Sequence, residues 1–231
     1  MGSSSTTQTL ARASAAISAG VDSVSTVHVL LADCARLLGA CSAAVLVRVG
    51  DRALELLAST SHVADELEML EAYAQSGPSV TATVTGSFVD LATEEVDRTW
   101  APLGVAMRRI GVVGLHAAPM RWRGHALGSL SVFWGPEPAT SEAAATVQAF
   151  ADVATIALMQ SSAPTGSDVV ADRLETALES RVPIERAKGL IAQLEGVDVA
   201  TAFDLLVERS ERDGGSLVRT ARRVLDGSAD G

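Results

Sequence analysis

The C-terminal quarter of the chain constrains the fold most, because its apolar residues keep returning at helical spacing. At about 100° per residue, Ile184, Ala187, Leu190, Ile191 and Leu194 fall on one stripe. Pro183 suits the first position of such a helix, where its missing N–H costs nothing. Lys188, at the edge of the stripe, is the only lysine among 18 basic residues. Gly189 and Ala192 on the same flank are small enough to admit another backbone or a flat ligand. Asp198 is placed to cap a second helix with Ala202, Phe203, Leu206 and Ser210 at helical spacing, which Asp213-Gly214-Gly215 ends. Ser216 caps a third, with Leu217, Ala221, Val224 and Leu225 on one face and Arg219, Arg222 and Arg223 on the other. The pattern predicts a three-helix module with a basic stripe.

These residues carry a family resemblance. The run Leu174-x-x-Ala177-Leu178-x-Ser180-Arg181-x-x-Ile184-Glu185-x-Ala187-Lys188-Gly189, then Ala202-Phe203-x-x-Leu206, then Leu217-x-x-x-Ala221-x-x-Val224-Leu225, resembles the ANTAR domain, a small helical RNA-binding module of bacterial transcription antiterminators. The resemblance implies binding to paired hairpin loops in a nascent leader RNA. It implies Lys188, Arg219 and Arg223 on phosphates, Ala187 and Gly189 allowing close approach to loop bases, and Arg186 and Arg222 in the same interface. Phe203 is either core, sharing a stripe with Leu206, or a stacking platform for a base. Val207 stands where the family usually has a basic residue, which removes one expected phosphate contact.

The formal net charge of -10 argues against nucleic acid until its distribution is considered. Residues 172–226 hold nine basic and eleven acidic residues, so most of the negative charge lies N-terminal to them. A nearly neutral module with arginines on selected faces suits a shaped RNA loop better than indiscriminate duplex binding. No apolar run is long enough to cross a bilayer and no secretory leader pattern is present, so a folded cytoplasmic protein is expected. Cys34 and Cys41 lie outside any metal-binding spacing, and both are read as buried, reduced thiols. No metal or cofactor is expected. With no Gly-rich phosphate loop, no Gly-x-Ser-x-Gly elbow and no paired metal ligands, the chain reads as a non-enzyme.

The N-terminal two thirds changes period. Residues 1–7 are small and polar and predict no structure; 8–19 and 23–38 read as helices, 43–49 and 53–58 as a hairpin about Gly50-Asp51, and 64–74 as a helix. A short strand follows in 85–91, then a stretch from 92 to 109 without strand period that includes Trp100 and reads as a lid. Strands are expected at 111–118 and 126–134, joined through Arg121, Trp122, Arg123 and Gly124, and a helix at 141–160. This order predicts an α+β domain with its helices on one face of the sheet.

Gly77-Pro78, Thr85-Gly86, Val89-Asp90-Leu91, Trp100, Gly111 with Pro119, and Leu127-Gly128-Ser129-Leu130 resemble a GAF domain. That implies a sensor or dimerisation domain over 8–160, a linker at 161–167, and the ANTAR-like module at 168–227. Ser79 occupies a position where related GAF domains fused to ANTAR modules often have cysteine. Trp100, His116 and Trp134 are the candidate ligand-binding residues of this domain, with filling of the core as the other role for the tryptophans. Val170, Leu174, Ala177 and Arg181 form a short coiled-coil seam, which points to a homodimer. A small-molecule or protein signal at the GAF-like domain would then control RNA binding, the alternative being an interaction module that binds no RNA.

Overall fold

The structure is a computed structural model and describes residues 2–50, 52–137, 139–140, 142–160, 167–213 and 216–227. Helices α1 (Gly2–Ser18) and α2 (Ser23–Leu38) lead into strands β1 (Ser42–Arg48) and β2 (Leu54–Ser59). Next come α3 (His62–Ala74), α4 (Pro78–Thr85), β3 (Val89–Ala92), α5 (Thr93–Thr99) and α6 (Ala101–Arg109). Strands β4 (Gly114–Trp122) and β5 (His125–Trp134) and helix α7 (Ala143–Met159) complete the sheet domain, and α8 (Ser167–Glu195), α9 (Val199–Arg212) and α10 (Leu217–Gly227) follow. No helix among the described residues is long and apolar enough to cross a membrane.

The five strands pair antiparallel in the order β2-β1-β5-β4-β3. Helices cover both faces of this sheet, not one as the element order suggested. The burial of β1 explains why: from Ser42 to Val47 every residue is buried, so neither side of the strand can face water. Ala44, Leu46 and Phe133 pack under α3 to α6, while Val45, Val47 and Val132 pack under α2 and α7. Gly128 on β5 faces Val47, and a Cβ there would stand 1.9 Å from Leu46 O, so this crossing of β1 needs glycine.

Several local expectations change. The chain turns helical at Gly2, ahead of the expected start. The stretch read as a lid folds as α5 and α6, and Pro78 opens the unpredicted α4, where a missing N–H is free. Strand β4 runs through Arg121 and Trp122, so the connection shrinks to Arg123 and Gly124, whose φ values of 48° and 88° suit a two-residue hairpin turn. Pro183 does not start a helix; it lies inside the 29-residue α8. A helix-interior proline costs about 3 kcal/mol, and here packing on both sides of it offsets that cost: Leu174, Ala177, Ile184 and Ala187 are all buried. The proposed dimer seam is thereby used within the chain at Leu174 and Ala177. Cys41 is exposed and Cys34 buried, so only the latter fits the expected environment. Residues 161–166 of the expected linker lie outside the described residues.

Candidate functional site

Lys188 is 3% exposed. Its Nζ donates to both carboxylate oxygens of Glu185 at 3.0 Å and stands 5.7 Å from the centroid of the Phe203 ring on α9. Glu185 Oε1 lies 3.6 Å from Nε2 of His28, a residue of α2, and the His28 and Phe203 rings are 5.9 Å apart. Burial by itself would raise the Glu185 carboxyl, but the His28 imidazole and the Lys188 ammonium outweigh it and hold the group down at about 2. The ammonium is thus compensated in place; leaving it buried without Glu185 would cost about 3–5 kcal/mol.

The cover over this cluster belongs to the sheet domain. Asp22 caps α2 by accepting from Ser25 N at 2.8 Å, and its other oxygen accepts from Ser216 Oγ, just before α10, at 2.9 Å. Ser25 Oγ accepts from Leu217 N at 2.9 Å, so one of the unpaired N–H groups that begin α10 finds its partner on α2. Arg181 Nη1 donates to Leu56 O on the edge strand at 2.8 Å, and Arg52 pairs with Glu175. The helical module is docked on the sheet domain through polar contacts at several points.

The docking divides the residues expected to meet RNA. Arg186, Gly189, Arg219, Arg222 and Arg223 are exposed, whereas Ala187, Lys188 and Phe203 are buried. Arg223 donates to Asp213 Oδ2 at 2.6 Å and lines a cleft of about 190 Å³ with Arg209 and Arg212. These last two lie outside the basic stripe expected on α10, although their spacing of three in the last turn of α9 places them on neighbouring positions of one helix face.

The three candidate ligand residues do not meet. His116 and Trp134 share the α7 face of the sheet, with ring centroids 5.1 Å apart, because His116 pairs with Val132 and alternation returns the same face two residues on. They line a cavity of about 280 Å³ with Asp90 and Thr140. His116 Nε2 is 3.1 Å from Asp90 Oδ1, and burial lowers its pKa against the pull of that carboxylate. Trp100 packs on the opposite face beside α6, its indole N–H donating to Ser76 Oγ at 3.0 Å.

On that same opposite face lies a polar cluster the sequence did not single out. Glu68 and Glu71, one turn apart on α3, are both buried. Ser79 N donates to Glu71 Oε2 at 2.7 Å, and Ser79 Oγ is within 3.1 Å of Glu68 Oε1, 3.3 Å of Glu71 Oε1 and 2.8 Å of Ser131 Oγ. Burial pushes Glu68 up to about 7; burial, then the neighbouring Glu68 charge, raises Glu71 as well. The one sequence signal beside it is Gly77, whose φ of 151° L side chains rarely adopt and where a Cβ would meet the Glu71 carboxylate at 2.2 Å.

Comparison with known proteins agrees with both halves of this architecture. The GAF domain family matches residues 22–158 and the ANTAR domain family residues 172–225. Among solved structures, a GAF domain of A. aeolicus nlh2 in an inactive state is similar at a TM-score of 0.54 and 12% identity, covering 68% of this chain and 97% of that one. The phycoerythrobilin-bound GAF domain of a cyanobacterial phytochrome gives 0.51 and 13%, covering 68% and 95%. A GAF domain from a Coxiella burnetii phosphoenolpyruvate-protein phosphotransferase gives 0.51 and 13%, covering 75% and 97%. At these identities the likeness is one of fold. Comparison with curated proteins yields no match. The sheet flanked by helices and the docked helical module are therefore two known domains in series, and the chain belongs to the GAF family with an ANTAR domain at its C-terminal end, a regulator of the GAF–ANTAR kind.

Proposed function

We propose that the chain is a cytoplasmic RNA-binding antitermination regulator, without catalysis of its own, whose ANTAR domain engages paired hairpin loops of a leader transcript. The arrangement described above is its RNA-free state. The observation that carries this reading is the burial of Lys188. A lone lysine in the ANTAR match, compensated by Glu185 and covered by α2, is a phosphate-binding group kept from solvent until the module undocks. Arg186, Gly189, Arg219, Arg222 and Arg223 are exposed to solvent and would make the first encounter with RNA. A small-molecule or protein signal at the GAF domain would shift the docking equilibrium, provided it binds the two arrangements unequally.

Titration of the full chain with a two-hairpin leader RNA tests this. Lys188→Ala is expected to weaken binding about tenfold and to flatten the dependence of log affinity on log salt by about one unit, the signature of one lost phosphate contact. The slope is the decisive readout, because the substitution also leaves Glu185 without its cation and so disturbs the docking. An unchanged slope removes Lys188 from the interface, and no RNA binding by any form leaves a protein-interaction module.

Undocking would also free the α8 stripe at Leu174 and Ala177. Two ANTAR domains held together make the second hairpin contact intramolecular, so the RNA-bound protein is expected to be a homodimer. Light scattering of the complex should give two chains per RNA; one chain per RNA at micromolar concentration refutes it.

A further inference from the structure

A cleft of about 200 Å³ lies where the two domains meet. Val29 and Leu30 of α2 line one side, Ala13 and Ala16 of α1 another, and Val207 and Leu217 of the ANTAR domain a third. Close packing is the rule in protein interiors, and a void forfeits contacts on every wall. Of the two acidic residues in its wall, Glu211 is exposed, and Asp33 is already compensated: it accepts from Arg12 at 3.0 Å on one oxygen and from Arg36 at 2.7 Å on the other. An ionic ligand therefore finds no unpaired partner in that carboxylate. An engineered apolar cavity of about 150 Å³ holds benzene, so the size and lining suit a small ring or a short branched chain.

We propose that this cleft is an effector site for a neutral, compact, largely apolar molecule, and that its occupancy holds the ANTAR domain docked. The proposal rests on the reading of the docked form as the RNA-free state. Its physical basis is that the walls come from both domains. On undocking, Val207 and Leu217 leave and the cleft ceases to exist, so the molecule binds only one of the two arrangements. Linkage then requires that it oppose whatever needs the other. The position of the cleft makes the coupling direct, since Leu217 is both a wall and the residue whose N–H is held by Ser25 of α2.

The test uses the full chain with toluene, phenol and indole as probes. At least one is expected to raise the thermal midpoint in the absence of RNA. At a free concentration ten times its dissociation constant, that probe should lower RNA affinity about tenfold. Ala16→Phe, which fills the cleft from the half-exposed α1, should abolish the thermal shift while leaving the far-ultraviolet circular dichroism unchanged. The proposal is overturned if no probe shifts the midpoint, if the shift persists in Ala16→Phe, or if a bound probe leaves RNA affinity unaltered. Failure of the underlying RNA reading would show separately, as absent RNA binding in a chain whose docking has been opened by substitution at Ser25, whatever the probes do.

Discussion

Full-length protein carrying Ser25→Arg is expected to bind a two-hairpin leader RNA at least tenfold more tightly than the unsubstituted chain. Ser25 is 2% exposed and accepts from Leu217 N at 2.9 Å, so an arginine there has no space unless α10 moves away. The gain follows from populations: a docked form favoured by about 1.4–2.8 kcal/mol leaves only about 10–1% of molecules competent, and the tax on apparent affinity is that fraction. Fluorescence anisotropy at one fixed salt concentration measures it. Ser25→Ala, which loses the hydrogen bond from Leu217 N and the one to Asp22 without adding a wedge, should give a much smaller gain, and adding Lys188→Ala to Ser25→Arg should remove most of the Ser25→Arg gain. Equal affinity of Ser25→Arg and the unsubstituted chain, with the sheet domain still folded by circular dichroism, would mean that RNA reaches its site without undocking.

The second large effect is one of pH on stability. Glu68 titrates at about 7 in the folded domain against an ordinary value of 4.5, because burial disfavours its charged form. The native state therefore holds this proton more tightly than the unfolded chain does. The stability it contributes is complete below pH 4.5 and is lost as pH rises through about 7. At 1.36 kcal/mol per unit the loss is roughly 3 kcal/mol, or about 6–12 °C in thermal midpoint for a protein of this size. Glu68→Gln should remove the Glu68 share of that slope, leaving the share that burial of Glu71 contributes, and stabilise the domain at pH 8, since an amide keeps the hydrogen-bonding reach toward Ser79 and Ser131 without a charge to bury. A midpoint that stays level from pH 5 to 8 in the unsubstituted protein would show that the pair does not carry its proton into the neutral range.

Ser79 links this cluster to the sequence. Its hydroxyl and N–H serve as partners for two buried carboxylates. The sheet face under α3 and α4 thus differs in kind from the aromatic face of His116 and Trp134, and a ligand search on the GAF domain has two chemically distinct places to test.

Features that depend on neighbours in the chain are legible in the residues alone. Asp198 caps α9 through Thr201 N at 2.8 Å, as its place before Ala202 and Phe203 indicates, and Ser216 accepts from Arg219 N at the start of α10. The hairpin of β1 and β2 and the opposed apolar and arginine faces of α10 were equally legible, because strand and helix periods are local properties. The spacing of apolar residues with Lys188 and Gly189 was enough to show the kind of module. Which of its faces is open depends on contacts with distant parts of the chain. Lys188 falls at the edge of its stripe, and nothing near it in sequence announces the cover it has; that cover is His28 of α2, and α10 is held by Ser25 of that helix and by its capping residue Asp22, far away in the chain. Pro183 read as a helix start because its local cost is plain, while the packing that outweighs it comes from distant residues. Glu68 and Glu71 lie in 64–74, a stretch whose spacing predicts only a helix, and they become a buried, proton-holding pair through Ser79 and Ser131, which close over them from elsewhere in the chain. Burial is set by contacts between segments far apart in the chain, and periodicity records a preference for burial without naming the partner.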